Sequence, residues 1–250
     1  MSADRPYDEA TLAAWNDELE GKEPREILAW AVEKFQPGLT LACSFGGPSG
    51  MVLLDMVMAI DPSVEVFYLD TDFLFPETYA LRDACERKYG FKAIGYKSLL
   101  TPEQQAAKYG EALWARDPDA CCALRKVEPN QRALEGKTAW ISGIRRDQSA
   151  TRRDVRVVEW DEKFGLVKLN PLAAWTEDQV WDYIRDNRVP YNILHEQNYP
   201  SIGCTHCTKP VAPGDDPRSG RWAGFDKTEC GIHVQDGGVT VIEATNIPVL

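Results

Sequence analysis

Short apolar runs recur along this chain at intervals that leave room for one helix between neighbours. LTLACSF begins at residue 39, VEVFYLD at 64, FKAIGYK at 91 and TAWISGI at 138, with helical patterns over about 49–60, 76–89 and 121–135 between or beside them. Strands joined by crossovers of that length pair in parallel, because an antiparallel pair needs only a tight turn. The pattern predicts an α/β fold with an open parallel sheet covered by helices on both faces. A further run, LVKLNPL at 166–172, precedes TEDQVWDYIRDN, where Thr176 reads as an N-cap and Val180, Trp181 and Ile184 as the inward face. Residues 24–35, PREILAWAVEKF, carry Pro24 in a first turn and one apolar stripe, a packing helix with no chemistry assigned to it. In open sheets of this kind ligands bind beyond the C-terminal strand ends, here 44–50, 70–72 and 143–147.

The 250 residues, 44% of them hydrophobic, suffice for one large domain with an appendage. Residues 1–37 read as a helical segment packing on the core, 38–197 as an α/β domain, and 198–250 as a loop and C-terminal tail. The stretch 198–230 is rich in Gly, Pro, Cys and charge without periodicity, so something other than an apolar core must order it. The longest apolar run, MVLLDMVMAI, is too short to span a bilayer and is interrupted by Asp55. The acidic start, MSADRPYDEA, lacks the basic and apolar regions of a signal peptide, so a cytoplasmic location is expected. A net charge of −11 argues against nucleic acid or a membrane surface as partner, and any anionic ligand must be met by concentrated Arg and Lys.

Three segments carry chemistry. SFGGPSG joins a strand to a helix, so the backbone N–H groups around Ser44, Phe45, Gly46 and Gly47 can cradle an anion, although the pattern is neither a Walker loop nor a dinucleotide fingerprint. GIRRDQSATRRDVR gathers Arg145, Arg146, Arg152, Arg153 and Arg156 just beyond Gly143 at a strand end; on an acidic chain this suits a compact polyanion better than a solvated basic face. The seven cysteines include the vicinal pair Cys121-Cys122 and the Cys204-Thr-His-Cys207 motif. Alone, Cys-x-x-Cys is compatible with a zinc half-site, a redox pair or coincidence; neighbouring thiolates suit a cluster better, because each can bind a different iron. Cys43 and Cys85 lie in apolar patterns and read as core thiols. Cys230, in the polar segment KTECGIH, reads as exposed and reactive, with Lys227, His233, Arg218 and Arg221 near enough in sequence to favour its thiolate.

With SFGGPSG, YLDTDFLFPET, CCALRKVEP, GIRRDQSATR, GCTHCTKPV, PRSGRW and KTECGIH in view, the chain resembles the sulfonucleotide reductases, within them the iron–sulfur adenylyl-sulfate (APS) reductases of assimilatory sulfate reduction. The resemblance covers residues 44–233. It implies the adenine-nucleotide hydrolase-like fold of the ATP pyrophosphatase class, and one [4Fe–4S] cluster held by Cys121, Cys122, Cys204 and Cys207. It implies that Lys126, Arg218, Arg221 and His233 face the phosphosulfate, while Ser44, the glycine loop, Leu69, Asp70, Thr71 and the Arg153 region surround the nucleotide. The implied reaction is reduction of APS to sulfite and AMP through an S-sulfocysteine on Cys230, with thioredoxin or a glutaredoxin-like thiol as donor, for cysteine biosynthesis. The sequence departs from the family at Pro48-Ser49, where an acidic residue is frequent, and at Ala223, where a second Trp is. Reduction of the 3′-phosphorylated PAPS, alone or beside APS, is the alternative; an adenylating ATP pyrophosphatase, which would not require Cys230, and a cluster-bearing sensor are others. A homo-oligomer is compatible with the sequence.

Overall fold

The computed structural model describes residues 5–233. In chain order the elements are α1 (Glu9–Leu19), α2 (Pro24–Phe35), β1 (Leu39–Ala42), α3 (Pro48–Ile60), β2 (Glu65–Asp70), α4 (Pro76–Tyr89), β3 (Ile94–Lys97), α5 (Pro102–Tyr109), α6 (Leu113–Arg116), α7 (Pro118–Cys122), α8 (Glu128–Leu134), β4 (Ala139–Ile141), β5 (Val158–Asp161), β6 (Leu166–Leu169) and α9 (Glu177–Asn187). The strands form a six-stranded sheet in the order β3-β2-β1-β4-β6-β5. Leu41 of β1 lies opposite Val66 on one side and Ile141 on the other, both in parallel register, and β4 runs parallel to β6 with Trp140 opposite Lys168. Every residue of β4 and β6 is buried, as a sheet covered on both faces requires.

One strand departs from the expected all-parallel sheet. β5 pairs antiparallel with β6, Trp160 opposite Val167. The physical reason is the short turn between them: Gly165, at φ +71°, donates its N–H to Asp161 O at 2.7 Å, and so tight a reversal permits only antiparallel pairing.

The helices begin where their caps predict. The Thr176 hydroxyl accepts from Gln179 N–H while the Gln179 side chain accepts from Thr176 N–H, and Val180 and Ile184 are buried. Trp181, expected to face inward, is only half-buried and meets Tyr191 edge-on at 5.3 Å. Helix α3 is apolar nearly all round because nearly all of it is buried; its one acid, Asp55, accepts hydrogen bonds from Tyr89 at 2.9 Å and Tyr183 at 2.8 Å.

The chain divides into two compact units, Met1–Tyr68, Thr78–Ile94 and Gly136–Asn192 in the first, and Leu69–Glu77, Gly95–Glu135 and Ile193–Leu250 in the second. Among the described residues no helix is long and apolar enough to cross a membrane.

Candidate active site

In the second unit, the vicinal cysteines end α7. Asp117 accepts from Ala120 N–H at 2.9 Å and Pro118 occupies the first turn, so the helix starts immediately before them. Directly after, residues Ala123–Val127 form a π turn, closed by Glu128 N–H on Ala123 O, before the helix resumes as α8. Pro129 accounts for the change of pitch: it has no N–H to donate to Arg125 O four residues back, and its ring crowds that carbonyl. The motif CCALRKVEP therefore contains the cause of its own irregularity.

Cys121 and Cys122 line one cavity with Cys204 and Cys207, walled by Phe73, Trp114 and His206 and flanked by Arg125 and Lys126. The Cys204 side is a 3₁₀ turn, Thr205–Cys207, in which Cys207 N–H donates to Cys204 O at 3.0 Å and Thr205 N–H to Phe73 O at 2.8 Å. Thr71 Oγ1 lies 3.3 Å from Cys204 Sγ. Trp114 and His206 stack at 4.0 Å, and Phe73 meets both edge-on. Burial, reinforced by the neighbouring thiols, pushes Cys121 up to about 12. Burial likewise pushes Cys122 up to about 11 against the pull of Lys126, and raises Cys207. Among the described residues no three of His, Cys, Asp and Glu close on a single metal-ion position, so the donor set is read from the cavity the thiols share.

Beside this cavity the same unit gathers cations. Burial alone would lower the Lys126 ammonium, but the negative charge of Cys204, Cys122 and Cys230 as thiolates outweighs it and holds its pKa above the ordinary lysine value. The buried Trp222 ring has Arg221 at 4.5 Å, Lys227 at 5.4 Å and Lys126 at 6.0 Å from its centroid. Arg221 donates to Ser201 Oγ at 3.0 Å, and Arg218 donates to Thr228 O at 2.5 Å and Glu229 at 3.2 Å. Lys227 pairs with Asp119 of α7. Cys230, expected exposed, is half-buried, and it is close enough to Lys126 and Cys122 to enter the electrostatics of both. His233 is half-buried at the end of the described residues. Gly220 of PRSGRW must be glycine: a Cβ there would sit 2.2 Å from Lys209 O, destroying the Lys209 N–H to Gly220 O bond of 2.9 Å. Leu69 is half-buried, while Asp70 and Thr71 are buried, with Lys97 3.5 Å from the Asp70 carboxylate.

The first unit holds the other candidates. Ser44 is exposed and accepts from Gly46 N–H at 3.3 Å. Gly47 is the N-cap of α3 and caps it with no side chain, and Pro48 in the first turn has no N–H to satisfy. Phe45 puts its side chain wholly in the core and its backbone at φ +52°, where the Asn192 amide, invisible in any motif, donates to its carbonyl at 3.1 Å. Arg145 is buried and engaged, donating to Ser49 Oγ at 2.5 Å and Asp147 at 2.9 Å; it shapes the loop. Gly143 packs so closely that a Cβ would lie 3.3 Å from Gly50 N. Arg146 is spent on Glu20, at 2.7 Å, whereas Arg153 and Arg156 are exposed. Cys43 and Cys85 are core thiols, both pushed by burial to about 12.

The family model for the phosphoadenosine phosphosulfate reductase domain matches residues 38–210. A protein of Shouchella clausii named adenosine 5′-phosphosulfate reductase is 47% identical over 89% of this chain and 92% of its own length. One of Gloeobacter violaceus, named phosphoadenosine 5′-phosphosulfate reductase, is 49% identical over 90% of this chain and 95% of its own. The crystal structure of PAPS reductase from Candida auris in a phosphate complex superposes with a TM-score of 0.72 at 35% identity, covering 82% of this chain and 98% of that one. With a matching domain model over most of the chain and relatives of near-half identity along almost its whole length, this chain belongs to the phosphoadenosine phosphosulfate reductase domain family.

Proposed function

We propose that the chain reduces adenylyl sulfate to sulfite and AMP in sulfate assimilation, taking electrons from thioredoxin or a similar dithiol. The observation that carries this reading is the grouping of Cys230 with Lys126 and Cys122 beside the four-thiol cavity. The Cys230 thiolate attacks the sulfur of APS; a new S–S bond forms, the S–O bond to the phosphate breaks, and AMP leaves with that electron pair. Lys126, with Arg221 and Arg218, offsets the charge that develops on the transferring group. One donor thiol then attacks Cys230 Sγ and expels sulfite, and the second attacks the resulting mixed disulfide, restoring Cys230 and leaving the donor oxidised by two electrons. Taken by itself, the first unit offers Ser44, the Phe45–Gly46–Gly47 backbone, Gly143 and Arg153 to the nucleotide, with Arg145 shaping that loop; taken by itself, the second offers Leu69, Asp70 and Thr71 to the nucleotide and His233 to the phosphosulfate. Residues 38–197 thus serve chiefly nucleotide binding and 198–250 the catalytic tail, in a cytoplasmic enzyme.

The donor set fits a [4Fe–4S] cluster: four cysteines line one cavity, a hydroxyl meets one sulfur, and the half-buried Lys126 ammonium flanks them to offset the net negative charge of a thiolate-bound cluster. Cys121, Cys122, Cys204 and Cys207 would hold it, and bound there it supplies a rigid electrostatic frame for Lys126 while the electrons come from thiols.

Incubation with APS and no reductant, followed by peptide mass spectrometry, should find one sulfonate adduct on the peptide containing Cys230, removable by thioredoxin. Release of AMP with no adduct, or turnover by Cys230→Ser at the wild-type rate, would sink the mechanism. The PAPS names among the relatives, together with exposed Arg153 and Arg156, support PAPS as an alternative substrate. The ratio of kcat/KM for the two nucleotides decides; equal values or a PAPS preference would overturn the APS assignment.

A further inference from the structure

Arg125 and Lys126 are adjacent, yet their surroundings differ. Arg125 is 1% exposed, and its charge is already balanced by Asp72 at 3.1 Å. Its guanidinium also donates from Nη1 to Thr71 O at 3.0 Å, from Nη2 to Leu100 O at 3.5 Å and from Nε to Gln105 Oε1 at 2.7 Å, and it lies over the Phe73 ring at 4.6 Å. So engaged and so little exposed, its charge is committed to protein groups rather than to a substrate anion.

Two of these anchored groups, Gln105 and Thr71, in turn meet a cysteine. Only an oxygen can accept from Arg125 Nε, which fixes the Gln105 amide with its NH₂ turned toward Cys121 Sγ, 4.0 Å away. Thr71, whose carbonyl Arg125 holds, accepts Phe73 N–H on Oγ1 at 3.3 Å, and that hydroxyl lies 3.3 Å from Cys204 Sγ, where it is the donor once Cys204 is a thiolate with no proton to give. One planar fork thereby orients a donor for each half of the cysteine set. A lysine ammonium, a point charge, could not hold these groups in one geometry.

We propose that Arg125 is the positioning residue of the four-thiol site, aiming the Gln105 amide at Cys121 and the Thr71 hydroxyl at Cys204. The inference rests on the reading that those thiols hold an iron–sulfur cluster, whose potential and retention follow hydrogen bonds to its sulfurs. Gln105→Glu tests it: the carboxylate still accepts from Arg125, so the tether survives, but an oxygen now faces Cys121 where an N–H did. The expected result for anaerobically purified protein is iron lost to a chelator about tenfold faster than from wild type, or more, with an altered Mössbauer spectrum. The metal-free chain should melt no lower than wild type. Arg125→Lys should show the same spectral change and also lower the melting temperature. Wild-type spectra and release rates in both variants would overturn the proposal whatever their stability; if Arg125→Lys does not fold, Gln105→Glu decides alone. Wild-type protein without acid-labile sulfide would instead overturn the cluster reading, and this inference with it.

Discussion

Asn192→Ala should destabilise the first unit and loosen its glycine loop. Asn192 is 1% exposed and donates to Phe45 O at 3.1 Å and Thr78 Oγ1 at 3.2 Å. Phe45 sits at φ +52°, a backbone conformation costing about 1–2 kcal/mol that persists only while its neighbours enforce it. Leaving a buried polar group unpaired costs about 1–3 kcal/mol, and because the Thr78 oxygen loses only an accepted bond and keeps its own O–H to donate, the two losses together come to roughly 2–4 kcal/mol. At about 2–4 °C per kcal/mol for a chain of this size, the melting temperature should fall by roughly 5–15 °C. Circular dichroism of nucleotide-free protein reads the stability, and the KM for APS reads the loop, since Ser44, Gly46 and Gly47 flank Phe45. KM should rise several-fold with kcat little changed. Asn192→Asp keeps the volume and removes the donor, so at neutral pH it should lose at least as much, which separates lost hydrogen bonding from lost packing. A melting temperature within about 1 °C of wild type would refute the stability argument; a large loss of stability with unchanged KM would refute the link to the loop.

Asp161 is buried, and burial raises its carboxyl above the ordinary range against the pull of Lys168. With the folded pKa raised, the native state binds the proton more tightly than the unfolded chain, so ionisation subtracts stability as pH rises; Asp161→Asn, which still accepts from Lys163 and Phe164 N–H, should melt at or above wild type at pH 7, the difference closing below about pH 4. A clear loss at pH 7 would contradict this. Gly220→Ala should break the Lys209–Gly220 contact and lower iron content together with resistance to proteolysis near 208–221; unchanged iron would show the close approach to be dispensable. Cys122→Ser should lose iron and sulfide, whereas Cys85→Ser should keep both at a cost of about 1–3 kcal/mol for a buried hydroxyl. Metal analysis and thermal melts distinguish these outcomes.

What was legible in the sequence is what a few neighbouring residues encode. Alternating apolar runs and helix-length crossovers determined the parallel strands β1, β2, β4 and β6, and Thr176 with Gln179 determined where α9 begins. The helical pattern over 121–135 did not show the π turn at Ala123–Val127 that Pro129 explains, whereas the paired cysteine motifs marked the four thiols that line one cavity. β5 escaped because its tight turn, DEKFG, breaks the strand-and-helix rhythm that betrayed the others. Tertiary structure alone gave Arg125 its part: the motif resemblance named Lys126, and no local pattern marked the arginine beside it. The arginine turns to Thr71, 54 residues away, and Gln105, 20 away; the lysine stays beside the thiols. Asn192 is likewise mute until the fold brings it to Phe45, 147 residues distant. The division has one cause: caps, periodicity and turns satisfy backbone groups within a few residues and so are written locally. The partners of a buried carbonyl or guanidinium are whichever groups the closed chain places within 3 Å or so of it, and no local pattern encodes that meeting.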